Sequence, residues 1–183
     1  MSPLLRFDGV ALRRGGRLLF EGLDLELGAG GRLQISGPNG SGKSSLIRLA
    51  AGLLREELGR VERAKLALAD DALALDRELP LKRALKFWGG AVDRAMDALG
   101  LAHLADVPVR LLSSGQAKRA ALARVAASGA PLWLLDEPLN ALDSEGADRL
   151  GGVVEAHLAS GGAVLAASHQ PLPGQWRRLE LGR

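Results

Sequence analysis

The sequence carries the stretch Gly37-Pro38-Asn39-Gly40-Ser41-Gly42-Lys43-Ser44-Ser45, which has the G-x-x-x-x-G-K-S pattern of a phosphate-binding loop. A short apolar run precedes it at residues 32–36, and apolar residues follow it at helical spacing from Leu46 to Leu53. The pattern therefore joins a predicted strand to a predicted helix, as a phosphate-binding loop requires. The alternative is a glycine-rich turn without a ligand, but the Gly-Lys-Ser ending and both flanks favour the loop.

The chemistry of this stretch follows from its glycines and from the helix behind it. Glycines let successive backbone N–H groups turn toward phosphate oxygens, and the helix N-terminus adds positive potential. Lys43 is expected to reach the β- and γ-phosphates, and the Ser44 hydroxyl to complete the shell of a Mg²⁺ ion. We therefore predict that all nine residues bind a nucleoside triphosphate, with Lys43 also acting in catalysis.

Length and composition bound the class of protein. A chain of 183 residues is long enough for one domain with a real core, which Leu, Ala and Val must fill because aromatic residues make up only 3%. The absence of Cys excludes disulfides, thiolate metal sites and cysteine nucleophiles, and it agrees with a reducing cytosol. The net charge of +3 comes without a long basic block, so we expect no nucleic-acid partner. Neither a run of about 18 apolar residues nor a signal-peptide pattern is present, so we expect no direct membrane insertion.

The order of predicted elements indicates an α/β fold. Residues 4–12 and 17–27 are predicted to form a hairpin, and hence an N-terminal antiparallel β layer. Strands then alternate with helices around the phosphate-binding loop, which is typical of a mostly parallel sheet with helices on both faces. We predict a P-loop NTPase fold in which residues 1–183 form a single domain. A mostly helical subdomain at about 76–128 is expected to be inserted in the core. The remaining predicted strands lie at residues 61–69, 163–167 and 176–181 and within 131–138, where an apolar strand ends in two carboxylates. Helices are predicted at 81–88, 92–101 and about 144–159, and a long alanine-rich helix is predicted to run through Ala127.

Two adjacent carboxylates, Asp136 and Glu137, follow the apolar run at residues 132–135. A strand buried on both faces is continuously apolar, so charges at its carboxyl end lie in the ligand crevice of a parallel sheet. Asp136 is placed to hold Mg²⁺ through water, and Glu137 to orient and deprotonate the attacking water. The alternative is a strand that ends in two solvated acids, and the phosphate-binding loop decides against it.

The segment Leu112-Ser113-Ser114-Gly115-Gln116 opens an alanine-rich helix, and Ser113-x-x-Gln116 fits a capping box. The segment also closely resembles the Leu-Ser-Gly-Gly-Gln signature of ATP-binding cassette ATPases, and a capped helix N-terminus can serve as an anion site as well. Two further pieces resemble that family in the expected order: residues 139–143 its D-loop, and His169 its switch histidine.

The resemblance implies a fuller description of the site. It implies that the ligand is ATP with Mg²⁺, and that His169 contacts the γ-phosphate as a catalytic residue beside Lys43 and Glu137. It also implies that the ATPase subunit forms a head-to-tail homodimer in the ATP-bound state. In that dimer, residues 113–116 of one subunit bind the γ-phosphate held by the other.

Two weaker features concern the type of cassette. Residues 100–109 and 168–172 resemble ATP-binding subunits of the haem exporter of cytochrome c maturation. This resemblance implies a peripheral ATPase at the cytoplasmic face of the bacterial inner membrane, with integral membrane subunits that pass haem to a chaperone. Hydrolysis would release the haem-loaded chaperone. The alternatives are another bacterial transporter ATPase, a non-transport cassette ATPase and a regulatory module without turnover.

Two departures from the family pattern stand out. Arg13 and Arg14 occupy the neighbourhood where cassettes carry an aromatic residue that stacks on adenine. A guanidinium also stacks on a base, so base binding is compatible with this change. Asp70-Asp71-Ala72-Leu73 stands where related sequences read Gln-Asp-Ala-Leu, so the resemblance implies that Asp70 replaces the loop glutamine as a Mg²⁺ ligand. The alternative is a solvated loop residue.

Overall fold

The computed structural model describes residues 2–182, which form two sheets and five α-helices. In chain order the elements are β1 (Leu5–Arg14), β2 (Arg17–Leu27), β3 (Arg32–Ser36), α1 (Lys43–Ala50), β4 (Leu58–Arg63), β5 (Leu66–Ala69), α2 (Leu81–Lys86), α3 (Val92–Ala98), α4 (Ser114–Ala127), β6 (Leu132–Asp136), α5 (Ser144–Ala159), β7 (Ala163–Ala167) and β8 (Arg177–Glu180).

The N-terminal antiparallel layer is confirmed, and it has a third strand that the sequence did not predict. β1 pairs with β2 on one side and with β4 on the other. The single strand expected at 61–69 is wrong, because the chain changes sheets after Arg63. Charged residues in β4 suit a strand with one exposed face, whereas the apolar Leu66–Ala69 suits a strand covered on both faces.

The second sheet is parallel throughout, with the strand order β5-β6-β7-β3-β8. Its second strand, β6, lies between β5 and β7 and is buried along its whole length. Leu132 and Leu134 join the core shared with α1 and the antiparallel sheet, while Trp133 and Leu135 join the core shared with the helices after β5. The continuous apolar run therefore serves two cores, and the predicted P-loop NTPase fold is confirmed.

Residues 76–128 contain α2, α3, α4 and two single-turn 3-10 helices, and neither sheet has a strand there. α2 and α3 end earlier than expected, before glycines at 89–90 and 100 that adopt positive φ angles. The division of the chain into one domain with a helical subdomain stays a prediction.

The parallel sheet brings the polar segments to one edge. β3 leads into the stretch at 37–45, β5 into Asp70, β6 into Glu137 and β7 into Ser168. The register pairs Ala69 with Leu135, and it pairs both Ile35 and Asp136 with Ala167. Since the carboxyl ends of parallel strands share an edge, the four following segments meet there.

Candidate nucleotide site

The loop at 37–45 wraps tightly between β3 and α1. Gly37 has φ +141°, and a Cβ atom there would lie 2.4 Å from the carbonyl oxygen of Leu181, the residue after β8. Gly42 has φ +103° at the start of α1 and lies against the side chain of Leu19. Both backbone conformations favour glycine, and at Gly37 a side chain would also collide with the main chain of Leu181.

The loop has the groups that an anionic phosphate needs. Lys43 is only 6% exposed, and its Nζ atom donates to the carbonyl oxygens of Gly37 at 2.8 Å and Pro38 at 3.1 Å. Ser41 is equally buried, and its hydroxyl oxygen has no hydrogen-bond partner among the described residues. A buried hydroxyl without a partner is costly, and a phosphate oxygen would satisfy it. The residues present therefore fit a phosphate group.

Asp136 faces the loop from the end of β6. The Ser44 hydroxyl donates to Asp136 Oδ1 at 3.1 Å, so the two predicted metal ligands are in contact. Burial raises the pKa of the Asp136 carboxyl, and the hydrogen bond from Ser44 opposes that shift. Within residues 2–182, no group of three acidic, histidine or cysteine side chains could hold a metal by itself. Two hard oxygens fit Mg²⁺ only if phosphate and water oxygens fill the remaining positions.

Glu137 and His169 form a direct pair at the mouth of the site. The Nδ1 atom of His169 lies 2.8 Å from Glu137 Oε2. Glu137 has φ +45°, which is uncommon for a residue with a side chain, and its backbone N–H donates to the Ala167 carbonyl at 2.8 Å. This geometry points a carboxylate and an imidazole together at the end of the sheet, where a water could be deprotonated.

The predicted capping box at the start of α4 is confirmed. Ser113 Oγ accepts from the Gln116 N–H, and the Gln116 side chain accepts from the Ser113 N–H. The segment Ser113-Ser114-Gly115-Gln116 lies beside the loop after β6, since a Cβ atom on Gly115 would be 2.9 Å from the carbonyl oxygen of Ala141. Among the described residues no hydrogen bond joins this segment to the stretch at 37–45.

Asp70 and the two arginines take different places around the site. Asp70 directly follows β5, and its Oδ1 atom accepts from the Ala72 N–H at 3.1 Å in a local turn. Arg14 Nη1 donates to Ser45 Oγ at 3.3 Å, so its guanidinium lies beside the loop. Arg13 instead pairs with Glu57. Within residues 2–182, Arg14 is therefore the one of the two arginines that hydrogen-bonds to a predicted nucleotide-binding residue.

Lys118 is a residue at this site that the sequence interpretation missed. It lies on the second turn of α4, and its Nζ atom donates to the carbonyl oxygen of Asp136 at 3.3 Å. Burial lowers the pKa of the Lys118 ammonium, while the nearby carboxylates, Asp71 foremost, act to raise it. The sequence could have pointed to Lys118 only as a charged residue within an apolar helix. Because alanine lines most of that helix, the sequence does not indicate which side of it faces the sheet.

Comparison with known proteins decides the family. A model of the ABC transporter family matches residues 20–140. The chain belongs to the ABC transporter family. A protein of Sphingopyxis alaskensis named cytochrome c biogenesis ATP-binding export protein CcmA is 59% identical over 177 residues, covering 92% of this chain and 91% of its own. A protein of the same name from Pseudomonas putida is 42% identical, covering 100% and 99%. A solved ATP-binding subunit of an ABC transporter superposes with a TM-score of 0.82 at 20% identity, covering 91% of this chain and 79% of that one.

Membership in the ABC transporter family establishes the general activity. An ATP-binding domain of this family binds ATP and implies ATPase activity. An ATP-binding subunit of an ABC transporter also implies partner subunits in the membrane. In the part of this chain that the structure describes, no helix combines the length and the apolar character needed to cross a bilayer.

Proposed function

We propose that this chain is the ATP-hydrolysing subunit of the haem exporter of cytochrome c maturation. The Glu137–His169 pair beside the phosphate-binding loop carries the ATPase part of the proposal. The relatives named for cytochrome c biogenesis and export support the transport part. Hydrolysis would then release a haem-loaded chaperone from the membrane subunits.

The residues divide the reaction among them. On ATP binding, the Lys43 ammonium would leave the two loop carbonyls and offset the charge of the β- and γ-phosphates, while Ser41 donates to a phosphate oxygen. Ser44 and Asp136 would hold Mg²⁺, which supplies electrostatic stabilisation of the transferring phosphoryl group. Glu137 accepts the proton of the attacking water, a role that contributes roughly 10²–10⁴ in rate. His169 orients the Glu137 carboxylate.

We propose a homodimer in the ATP-bound state, in which residues 113–116 of one subunit bind the γ-phosphate in the other. The N-terminus of α4 is capped yet exposed, and the N–H groups that the cap does not use suit an anion. Within one chain this segment has no hydrogen bond to the phosphate-binding loop among the described residues, which supports a function in a second copy's site.

The helical segment offers a surface for the membrane subunits. Phe87 is 83% exposed and packs edge-to-face against the half-exposed Trp88. The Trp88 indole N–H donates to the carbonyl oxygen of Ala74 in the loop that begins at Asp70. An aromatic pair of this kind is typical of a protein interface. We propose that an integral membrane subunit contacts it and that this chain works at the cytoplasmic face of the inner membrane.

Complementation in the host tests the proposal. Deleting the gene should abolish haem-containing cytochrome c while leaving haem synthesis normal. Wild-type protein should restore c-type cytochromes, and Glu137→Gln should not. Normal c-type cytochromes in the deletion strain would overturn the haem-exporter assignment and leave the ATPase assignment standing. Membrane co-purification of wild type and Phe87→Ser would identify the integral partner in the same strain.

A further inference from the structure

The main chain at Glu137 adopts a conformation that its neighbours must stabilise. Its φ angle of +45° lies in the left-handed region, which residues with side chains seldom adopt. Such a residue persists only when surrounding contacts fix it. The position of the Glu137 carboxylate therefore depends on the groups that hold the peptide on either side.

Among the described residues, three outside the turn that follows β6 hydrogen-bond to Glu137 or to the peptide before it, two at or just after the end of β7 and one on α4. The Glu137 N–H donates to the Ala167 carbonyl at 2.8 Å, from the end of β7. Its carboxylate pairs with His169 at 2.8 Å. The carbonyl oxygen of Asp136, which belongs to the peptide linking Asp136 to Glu137, accepts from Lys118 Nζ at 3.3 Å. Lys118 is thus the one of the three partners that lies on a helix.

The position of Lys118 on α4 links the Asp136 carbonyl to the start of that helix. Lys118 lies five residues after Ser113, the N-cap of α4, so the start of the helix and Lys118 belong to one continuous hydrogen-bonded element of 14 residues. The same helix start lies against the loop after β6, where Gly115 approaches the Ala141 carbonyl. A displacement of residues 113–116 would therefore reach the Asp136–Glu137 peptide through Lys118.

We infer that Lys118 is a positioning residue for hydrolysis: it holds the Asp136–Glu137 peptide in place and couples the start of α4 to the Glu137 carboxylate. The inference rests on the proposed role of Glu137 as the base. It assigns Lys118 neither a contact with ATP nor a proton transfer. Loss of the ammonium group should leave nucleotide affinity intact and lower turnover.

The test compares Lys118→Met, Lys118→Arg and the control Lys65→Met in the full chain. Lys65 is exposed in the link between β4 and β5, so its substitution removes the same charge far from Glu137. Lys118→Met should lower kcat about tenfold or more with little change in the Kd for Mg·ATP, because a misplaced base forfeits part of the roughly 10²–10⁴-fold that it contributes. Lys118→Arg keeps a charged donor and should recover most of the turnover.

The same substitution made in the Glu137→Gln variant separates a positioning role of Lys118 from a general structural effect. If Lys118 acts through Glu137, then Lys118→Met should cause little further loss in single-turnover hydrolysis by Glu137→Gln. Three outcomes would overturn the inference. One is an unchanged kcat in Lys118→Met, and another is an equal loss of hydrolysis when Lys118→Met is added to the wild type and to Glu137→Gln. The third is a loss of ATP affinity without a loss of turnover. In all three cases the proposed function still stands if the wild type hydrolyses ATP and Glu137→Gln does not. Full activity of Glu137→Gln would overturn both the role of Lys118 and the role of Glu137 as the base.

Discussion

The Ser44 hydroxyl donates to Asp136 Oδ1 at 3.1 Å, and this contact joins the phosphate-binding loop to the end of β6. Asp136 is 5% exposed, and burial raises the pKa of its carboxyl. Burial outweighs the Ser44 hydrogen bond and the charge of Arg48, so the ionised carboxylate destabilises the nucleotide-free protein. The site thus has a cost in stability that a bound metal ion would offset.

Asp136→Asn should stabilise the nucleotide-free protein at neutral pH. A carboxyl whose pKa is raised on folding binds protons more tightly in the folded state than in the unfolded state. The stability of the wild-type protein therefore falls as pH rises from the pKa of the unfolded carboxyl through that of the folded one. The asparagine should therefore raise the Tm at pH 7 by a few degrees, since about 1 kcal/mol corresponds to about 2–4 °C in a chain of this size. The gain should disappear below the pKa of an unfolded Asp. Thermal unfolding at several pH values measures this, and a lower Tm at pH 7 would contradict it.

Lys43→Ala should lose most of its affinity for Mg·ATP. The ammonium group is buried in the loop, and its removal leaves the phosphate charge facing only backbone and hydroxyl donors. Equilibrium titration with a fluorescent ATP analogue measures the change, with Lys65→Ala as a control for loss of a lysine elsewhere. Equal affinity in the two variants would argue against this loop as the triphosphate site.

Ser113→Arg should abolish hydrolysis while the protein still folds and binds ATP. In the proposed dimer that side chain would occupy the space of the opposite subunit's γ-phosphate. Ser113→Ala is the matched control, because it removes the cap, worth about 1 kcal/mol, without adding bulk. The measurement is ATPase activity together with the mass of the ATP-bound species in solution. Retained hydrolysis in Ser113→Arg would be evidence against the shared site.

The parts of the fold that follow from short-range patterns were predictable from the sequence. The phosphate-binding loop, the apolar strand before Asp136 and the capping box each depend on residues close together in the chain. The change of sheet after Arg63 was not predictable, because no turn signal separates β4 from β5. The two strands differ in the distant strands with which they pair, β1 for β4 and β6 for β5. Local patterns carry little information about which sheet receives a strand.

The site was predictable to the same extent. Motif spacing brought Lys43, Asp136, Glu137 and His169 together as candidates, and these residues lie at one edge of the parallel sheet. Lys118 was missed because its partner is a backbone carbonyl, which leaves no trace in the sequence. The roles of these side chains stay predictions, to be tested by substitution.

Asp70→Gln should weaken the dependence of ATP binding on Mg²⁺. A carboxylate near the acidic end of β6 adds repulsion toward the phosphates when the metal is absent, and it can ligate the metal when it is present. ATP titrations at increasing Mg²⁺ compare this variant with the wild type. Asp76→Asn is the control, because Asp76 accepts from the Glu78 N–H in a similar local turn. Superimposable curves for Asp70→Gln and wild type would show that Asp70 does not enter the site.

Steady-state ATP hydrolysis by wild type and Glu137→Gln, measured beside Mg·ATP binding, tests the central claim most directly. The amide keeps the size of the side chain but cannot accept the proton of the attacking water, so turnover should fall by roughly 10²–10⁴-fold. Binding should stay within the range of the wild type, because the hydrogen bonds of the Glu137 carboxylate among the described residues go to His169. Turnover in Glu137→Gln equal to that of the wild type would contradict the assignment of Glu137 as the base.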